Sequence, residues 1–369
     1  MNKHFRLPDG FAVAMGLAIL LAAGLFAAFW PQADFSDHER RYLASTPSVP
    51  SLTDWETDQE IESYLSDRIP FRRWLVAIDS MVNTLTGRRT QLETWPVDGV
   101  YIEQPVNGDV NTVQKRLSQM ADNAAKADAL WSVIVPPTHG YLMRDGMSPL
   151  MQSAYEKEAV LYDALEAAGE TVLLRDPFAG VDGVYYATDH HWTLKGAYLA
   201  YEAYCRRVGL EPAPLEAYEL TSFENFYGTT YSRSGMPFAR ADTLDCAQPA
   251  GVRMRVLDDD TAYDTLIFAD QASTYDGYAV YMNGNHGLTE ILNPNAPEGT
   301  LMVFKDSFAN CLLPLLSANY SRIVAMDARY YSGNFSDAIG AAGEVDRVLY
   351  LYSLDSLIND TVVARKIAR

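Results

Sequence analysis

The sequence predicts an α/β protein: a mostly parallel sheet flanked by helices, with a β-rich insertion and an N-terminal transmembrane helix. Three observations predict it. Short continuous apolar strands alternate with amphipathic helical stretches, the pattern of strands buried on both faces. The stretch from about 210 to 300 breaks that rhythm; it is rich in Tyr, Thr, Asp and Gly and shows no helical period. Residues 11–30 form an uninterrupted uncharged run.

Twenty helical residues span about 30 Å, the hydrocarbon thickness of a bilayer. Lys3 and Arg6 precede the run, Asp34, Asp37 and Glu39 follow it, and Trp30 stands where an interfacial aromatic would. The charge asymmetry predicts residues 1–32 as a cytoplasmic tip and signal anchor, with everything beyond outside the cell. A cleaved signal peptide is the competing reading, but its apolar region would be shorter, and Phe29-Trp30-Pro31 is a poor cleavage context. Residues 33–56, polar and spaced by Pro47 and Pro50, are expected to form an extended stalk, and 57–369 the globular domain.

Ile61, Tyr64 and Leu65 share one helical face before Pro70, and Trp74, Leu75, Ile78 and Val82 share one after it, so two helices are expected. Asp67 and Arg68 then sit at a helix end. A strand at 99–103, a helix over 112–130, and an apolar strand from Trp131 into a Pro-Pro turn before His139 follow. Next come a helix over 150–168, strand 171–174, helix 195–208, strand 301–304, helix 308–318, and strands 322–326 and 347–352. Within the insertion, 252–256 and 278–281 read as β-like.

A net charge of −19 over 369 residues excludes a nucleic-acid partner, since phosphate binding requires a basic patch. Three cysteines, Cys205, Cys246 and Cys311, are too few for a disulfide scaffold and lack metal-ligand spacing. Either Cys205 and Cys246 pair, or all three are small buried hydrophobes.

Only six histidines occur, and two stand together in Asp189-His190-His191-Trp192. In Asp-x-His an extended backbone keeps both side chains on one side. Ser307 lies between an apolar strand and an apolar helix, at the sheet's carboxyl end and beside free backbone N–H groups. A serine hydroxyl is a weak nucleophile at neutral pH and needs an imidazole, which in turn needs a carboxylate to fix its tautomer. Asp189, His191 and Ser307 supply that set. The plainer readings are a helix N-cap at Asp306 or Ser307 and a structural histidine pair. A metal site from Asp189, His190, His191 and His139 is a further alternative, opposed by adjacent histidines pointing to opposite faces of an extended chain. Trp192 is expected to pack over the imidazole.

These residues resemble the DHHW family, relatives of the periplasmic alginate O-acetylation proteins with SGNH-hydrolase-like catalytic domains. Besides Asp189-His190-His191-Trp192, the resemblance rests on four further blocks. They are Glu62-x-Tyr64-Leu65-x-Asp67-Arg68-x-Pro70-x-Arg72, Phe226-Tyr-Gly-Thr-Thr-Tyr-Ser-Arg-Ser-Gly235, Lys305-Asp306-Ser307-Phe308 and Asp327-x-Arg329-Tyr330-Tyr331. It implies a permuted SGNH-like domain with a Ser307–His191–Asp189 triad and no cofactor. It also implies an acetyl group carried on Ser307 and passed to an exported glycan, supplied by a membrane-bound O-acyltransferase. Lys305 stands where the hydrolases keep glycine, which leaves the oxyanion donors open among the Ser307 N–H, Asn310, Arg329 and Tyr330. His190 and Trp192 join them as substrate-contact candidates. Two functions follow as expectations: a membrane-anchored extracellular O-acetyltransferase or acetylesterase acting on a polysaccharide, or a non-catalytic glycan-binding protein with the same fold.

Overall fold

The computed structural model describes residues 13–18, 21–22, 24, 34–36, 39, 41–46, 55–69, 71–90 and 93–368, apart from the side chains of 55–58. The expected anchor, residues 11–30, and its cytoplasmic tip fall largely outside the described residues. Among the described residues no helix is long and apolar enough to cross a membrane. The described residues fall into two compact units, one of residues up to 90 with Gly235–Pro237, the other of Glu93–Ser234 and 238–368.

In the first unit α1 (Trp55–Asp67) and α2 (Arg72–Leu85) are the pair of helices expected on either side of Pro70. Upstream, within the expected stalk, Phe35–Ser36 pairs antiparallel with Arg41–Tyr42. Asp67 does more than cap a helix. It accepts from the Arg41 guanidinium and from the Ala44 N–H at 2.8 Å, fixing the incoming chain to the end of α1.

The second unit is built on a seven-stranded sheet. Its strands are β1 (Leu130–Ile134), β2 (Arg253–Val256), β3 (Thr261–Tyr263), β4 (Leu288–Leu292), β5 (Thr300–Lys305), β6 (Arg322–Asp327) and β7 (Arg347–Leu351). The spatial order is β1-β7-β5-β6-β4-β2-β3. The first four are mutually parallel; β4, β2 and β3 add on antiparallel. The sheet is therefore mixed. Within the 210–300 stretch, Glu219–Phe226 pairs with Asp242–Gln248 in a separate two-stranded antiparallel sheet, while β2, β3 and β4 form the antiparallel side of the main one. Its alternating burial, such as Met254 and Val256 buried between exposed Arg253 and Arg255, marks strands with one face packed and one wet. Residues 278–281, expected as β-like, fall mostly in a 3-10 turn, Gly277–Val280. The expected strand 171–174 contributes a single bridge, Thr171 to Val133.

Helices α3 (Val110–Lys126) and α4 (Pro149–Glu166) cover one face; α5 (Leu194–Val208) and α6 (Ala309–Leu316) cover the other. Strand β5 shows how the sequence divides between them. Leu301 and Val303 enter the α5/α6 core, whereas Met302 and Phe304 enter the α3/α4 core. Phe304 stacks on Phe335 (centroids 4.1 Å) and on Tyr350 (5.2 Å). The cysteines are all buried and free, as small hydrophobes are.

Truncating the stacked ring removes a large buried side chain from the middle of the sheet. Phe304→Ala is expected to cost about 3–5 kcal/mol of stability, read as a lower urea midpoint with an unchanged slope.

Candidate active site

Asp189, His190 and His191 occupy the tip of a loop whose stems, Tyr185 and Trp192, form an antiparallel bridge. The chain turns here rather than running extended. The Asp189 carboxylate accepts from the backbone N–H of His191 at 3.0 Å, a turn aspartate can make for itself. That turn changes one expectation: the two imidazoles lie together, ring centroids 4.0 Å apart, instead of on opposite faces.

The carboxylate has no solvent contact. Its Oδ1 lies 2.5 Å from His191 Nδ1, and its Oδ2 accepts from the Thr229 N–H at 2.6 Å. Thr229 opens a short helix, Thr229–Ser234, in a stretch whose sequence showed no helical period. The donor reaches Asp189 because residue 228 is glycine: a Cβ there would lie 2.2 Å from the Asp189 Cβ. Asp242 holds the preceding turn, accepting from the Ala187 N–H (3.0 Å) and the Thr188 N–H (2.8 Å). Burial opposes ionisation of Asp189, but the neighbouring His190 and His191 and these hydrogen bonds keep its pKa well below the carboxylate range.

His191 Nε2 lies 2.8 Å from Ser307 Oγ. Burial, with His190 close by, lowers the His191 pKa even though Asp189 acts to raise it. The ring is therefore neutral at physiological pH, with Nδ1–H donated to Asp189 and the Nε2 lone pair facing the serine hydroxyl. Tyr278, rather than Trp192, covers the imidazole, stacked at 3.8 Å and 6°. Trp192 packs edge-on against Phe308 and donates its indole N–H to the Phe308 carbonyl at 3.0 Å, bracing the turn that carries Ser307.

That turn is held from below as well. The buried Asp306 carboxylate accepts from the Phe308 N–H at 3.0 Å and the Ser353 N–H at 2.7 Å, tying the end of β5 to the loop after β7. Lys305 points inward to Asn310 Oδ1 at 2.8 Å and Asp327 at 3.8 Å. Asp327 in turn grips Arg329 in two hydrogen bonds, 2.9 and 2.7 Å.

Ser307 opens onto a cavity of about 370 Å³ walled by the loops after β1, β5, β6 and β7, the carboxyl edge of the parallel half of the sheet. His190 and Arg329 line it, as do His139, Gln104, Asn107 and an Arg233–Glu103 ion pair (3.0 Å). Arg329 Nη1 makes no hydrogen bond among the described residues. Two oxyanion candidates fall away. The Asn310 amide is buried and donates to the Gly284 carbonyl and to Asn285, and Tyr330 is exposed and outside the cavity wall. The Ser307 N–H makes no hydrogen bond among the described residues, and with Arg329 it remains as a donor.

Asp189, His190 and His191 come within 4.8 Å of one another, near enough for three metal ligands. Both ring nitrogens of His191 are committed, however, one to Asp189 and one to Ser307. His139 is not of the group; it stacks on Tyr185, and burial lowers its pKa to about 4.

The sequence did not point to Glu158, on α4. It is fully buried and bridges two walls of the cavity, accepting from the Val106 N–H at 2.7 Å and the Thr138 hydroxyl at 2.6 Å. Burial pushes its pKa up to about 7 against those bonds. Nothing in its local sequence departs from an ordinary helical glutamate. Tyr278 was equally hidden. Gly228 and Thr229 lay inside the Phe226–Gly235 block, with no sign of which side chain they serve.

The mixed α/β sheet, with a serine, an imidazole and a carboxylate in line at its carboxyl edge, defines the class first: an α/β protein with a Ser-His-Asp constellation. The chain belongs to the DHHW family, whose model, described as DHHW protein, matches residues 110–326. Among solved structures it resembles a DHHW family protein from Eubacterium siraeum at 20% identity and TM-score 0.61, over 74% of this chain and 94% of that one. It also resembles Bacillus cereus PatB1, solved with a sulfonyl adduct, at 19% identity and TM-score 0.60, over 73% and 97%. The O-acetyltransferase domain of Pseudomonas putida AlgJ matches more weakly, at 12% identity and TM-score 0.41, over 73% and 96%. At these identities the likeness concerns the fold. No curated protein matches the chain.

Two outcomes test this geometry. Gly228→Ala drives a methyl into Asp189 and is expected to displace the carboxylate, lowering serine reactivity by about 10²-fold or more while the fold persists in circular dichroism. Glu158 gives a stability signature. Between the ordinary glutamate value, near 4.5, and about 7 the native state holds a proton that the unfolded chain has lost. Stability should therefore fall as pH rises through that window, by about 3 kcal/mol in all, and Glu158→Gln should flatten the slope in urea titrations.

Proposed function

We propose that the protein is a membrane-anchored, extracellular O-acetyltransferase or acetylesterase with a permuted SGNH-like domain, acting on an exported or cell-surface polysaccharide through Ser307, His191 and Asp189. The observation that carries the reading is the unbroken relay, 2.8 Å from Ser307 Oγ to His191 Nε2 and 2.5 Å from Nδ1 to Asp189. In this reading Ser307 Oγ bonds to an acetyl-ester carbonyl carbon while its proton passes to His191 Nε2. The developing oxyanion is met by the Ser307 N–H and Arg329, and the imidazolium by ionised Asp189. Collapse expels the donor alcohol, which takes the proton from His191. A glycan hydroxyl or water then attacks the acetyl-serine, giving its proton to the same nitrogen, and Ser307 is released.

The surroundings support this substrate class. Gln104, Asn107, Arg233 and Asn359 offer the dense hydrogen bonding that sugar hydroxyls require, in a cavity large enough for sugar residues beside the serine. The uncharged run at 11–30 and the charges flanking it support a tether at an outer membrane face, and a membrane-bound O-acyltransferase would supply the acetyl group there.

An aryl sulfonyl fluoride and 4-nitrophenyl acetate test the assignment. The wild-type chain should be sulfonylated once and should release nitrophenol. Ser307→Ala should abolish both, and Asp189→Asn should lower turnover by about 10³–10⁴-fold. Sulfonylation that persists in Ser307→Ala would sink the triad. Glycan binding with no acetyl turnover by the wild-type chain would favour the binding-protein reading. The acid limb of the pH–rate profile should fall below the usual histidine value of about 6.5, because burial lowers the His191 pKa.

A further inference from the structure

Helix α2 is amphipathic the wrong way round. Its apolar stripe, Trp74, Leu75, Ile78, Met81, Val82 and Leu85, follows the spacing of a core-facing helix. Yet that stripe is turned outward: Trp74, Ile78 and Leu85 are 59%, 53% and 87% exposed. The face that is buried is the small one, Ala77 and Ser80. Gly235 seats against it so closely that a Cβ there would lie 2.6 Å from Val76 and 2.8 Å from the Ser80 hydroxyl. A soluble protein seldom leaves so long a stripe of large apolar side chains in water without a partner for it.

Charge selects the partner. The whole chain carries −19, but between residues 68 and 90 five arginines (Arg68, Arg72, Arg73, Arg88 and Arg89) stand against Asp79 alone. Arg72 is engaged by Glu39, whereas Arg73 and Arg88 are exposed. An exposed apolar stripe with arginines beside it is the composition of a helix lying in a membrane interface, its apolar side chains about 5–10 Å into the headgroup boundary. The sequence adds proximity, since the uncharged twenty-residue run ends at Trp30, 42 residues before Arg72. We infer that α2 is an in-plane membrane helix that docks the first unit on a bilayer surface bearing anionic headgroups. A second attachment beside the expected anchor would hold that unit to the membrane, where a tether alone would leave it free to swing.

The test uses the full-length chain reconstituted into vesicles and spin-labelled at Ile78→Cys. Because Cys205, Cys246 and Cys311 are buried, the label reports one site. Asn83→Cys, five residues on and about 140° around the helix, serves as the aqueous control. With phosphatidylglycerol in the bilayer, the ratio of collisions with oxygen to collisions with a water-soluble nickel chelate should be several-fold higher at 78 than at 83. It should fall towards the control in phosphatidylcholine alone. A nickel-accessible label at 78 in phosphatidylglycerol vesicles overturns the inference. So does a label shielded from both reagents, which would mean that protein covers the stripe. Equal insertion without phosphatidylglycerol overturns the role of the arginines. The docking does not depend on the serine chemistry, so Ser307→Ala should insert as the wild type does, and failure of either reading leaves the other standing.

Discussion

A carboxylate sealed from water is the constraint on which the rest of the site depends. An ionised aspartate in the interior is tolerable only if its lone pairs are taken up, and Asp189 has two backbone N–H groups and an imidazole N–H arranged around it. Each comes from a different structural decision. The His191 N–H comes from the turn that Asp189 itself makes. The Thr229 N–H comes from a short helix more than thirty residues on, admitted by Gly228. The imidazole is pressed into place by Tyr278. With those donors in position the acid stays charged, the imidazole keeps one tautomer, and the lone pair facing Ser307 is the basic one.

Ser307 is fixed by the same logic from the other side. In place of the glycine expected before Asp-Ser, Lys305 sends its ammonium inward to Asn310 and Asp327. Burial lowers the Lys305 pKa, while Asp327 and Asp306 act to raise it. Asp327 then splits its charge between that lysine and Arg329, which reaches the cavity. Thus the lysine that stands in place of glycine joins the turn carrying Ser307 to the cavity wall. The separate two-stranded sheet has a comparable role, since Asp242, at the start of its second strand, pins the loop that carries Asp189 and His191.

The elements with strong local signals were legible in the chain. The apolar runs from Trp131 and at 301–304, 322–326 and 347–352 read as buried strands, and Asp189, His191 and Ser307 are the residue types that serine chemistry uses together. What was hidden had ordinary local sequence. Arg253–Val256 alternates polar and apolar as any antiparallel strand does, so its membership of the main sheet depended on which edge it met. Asn310 looked available because its neighbours Gly284 and Asn285 lie 25 residues away. Glu158 looked like a surface glutamate until the walls of the cavity closed over it.

The sequence by itself determined most of the elements of the parallel half and singled out Asp189, His191 and Ser307, because periodicity and functional-group chemistry are properties of a stretch of chain. Only the tertiary structure decided which donors face Asp189, which ring covers His191, and which of the candidate groups reach the cavity. Those are matters of distances between segments far apart in the chain, and packing, not local preference, settles them.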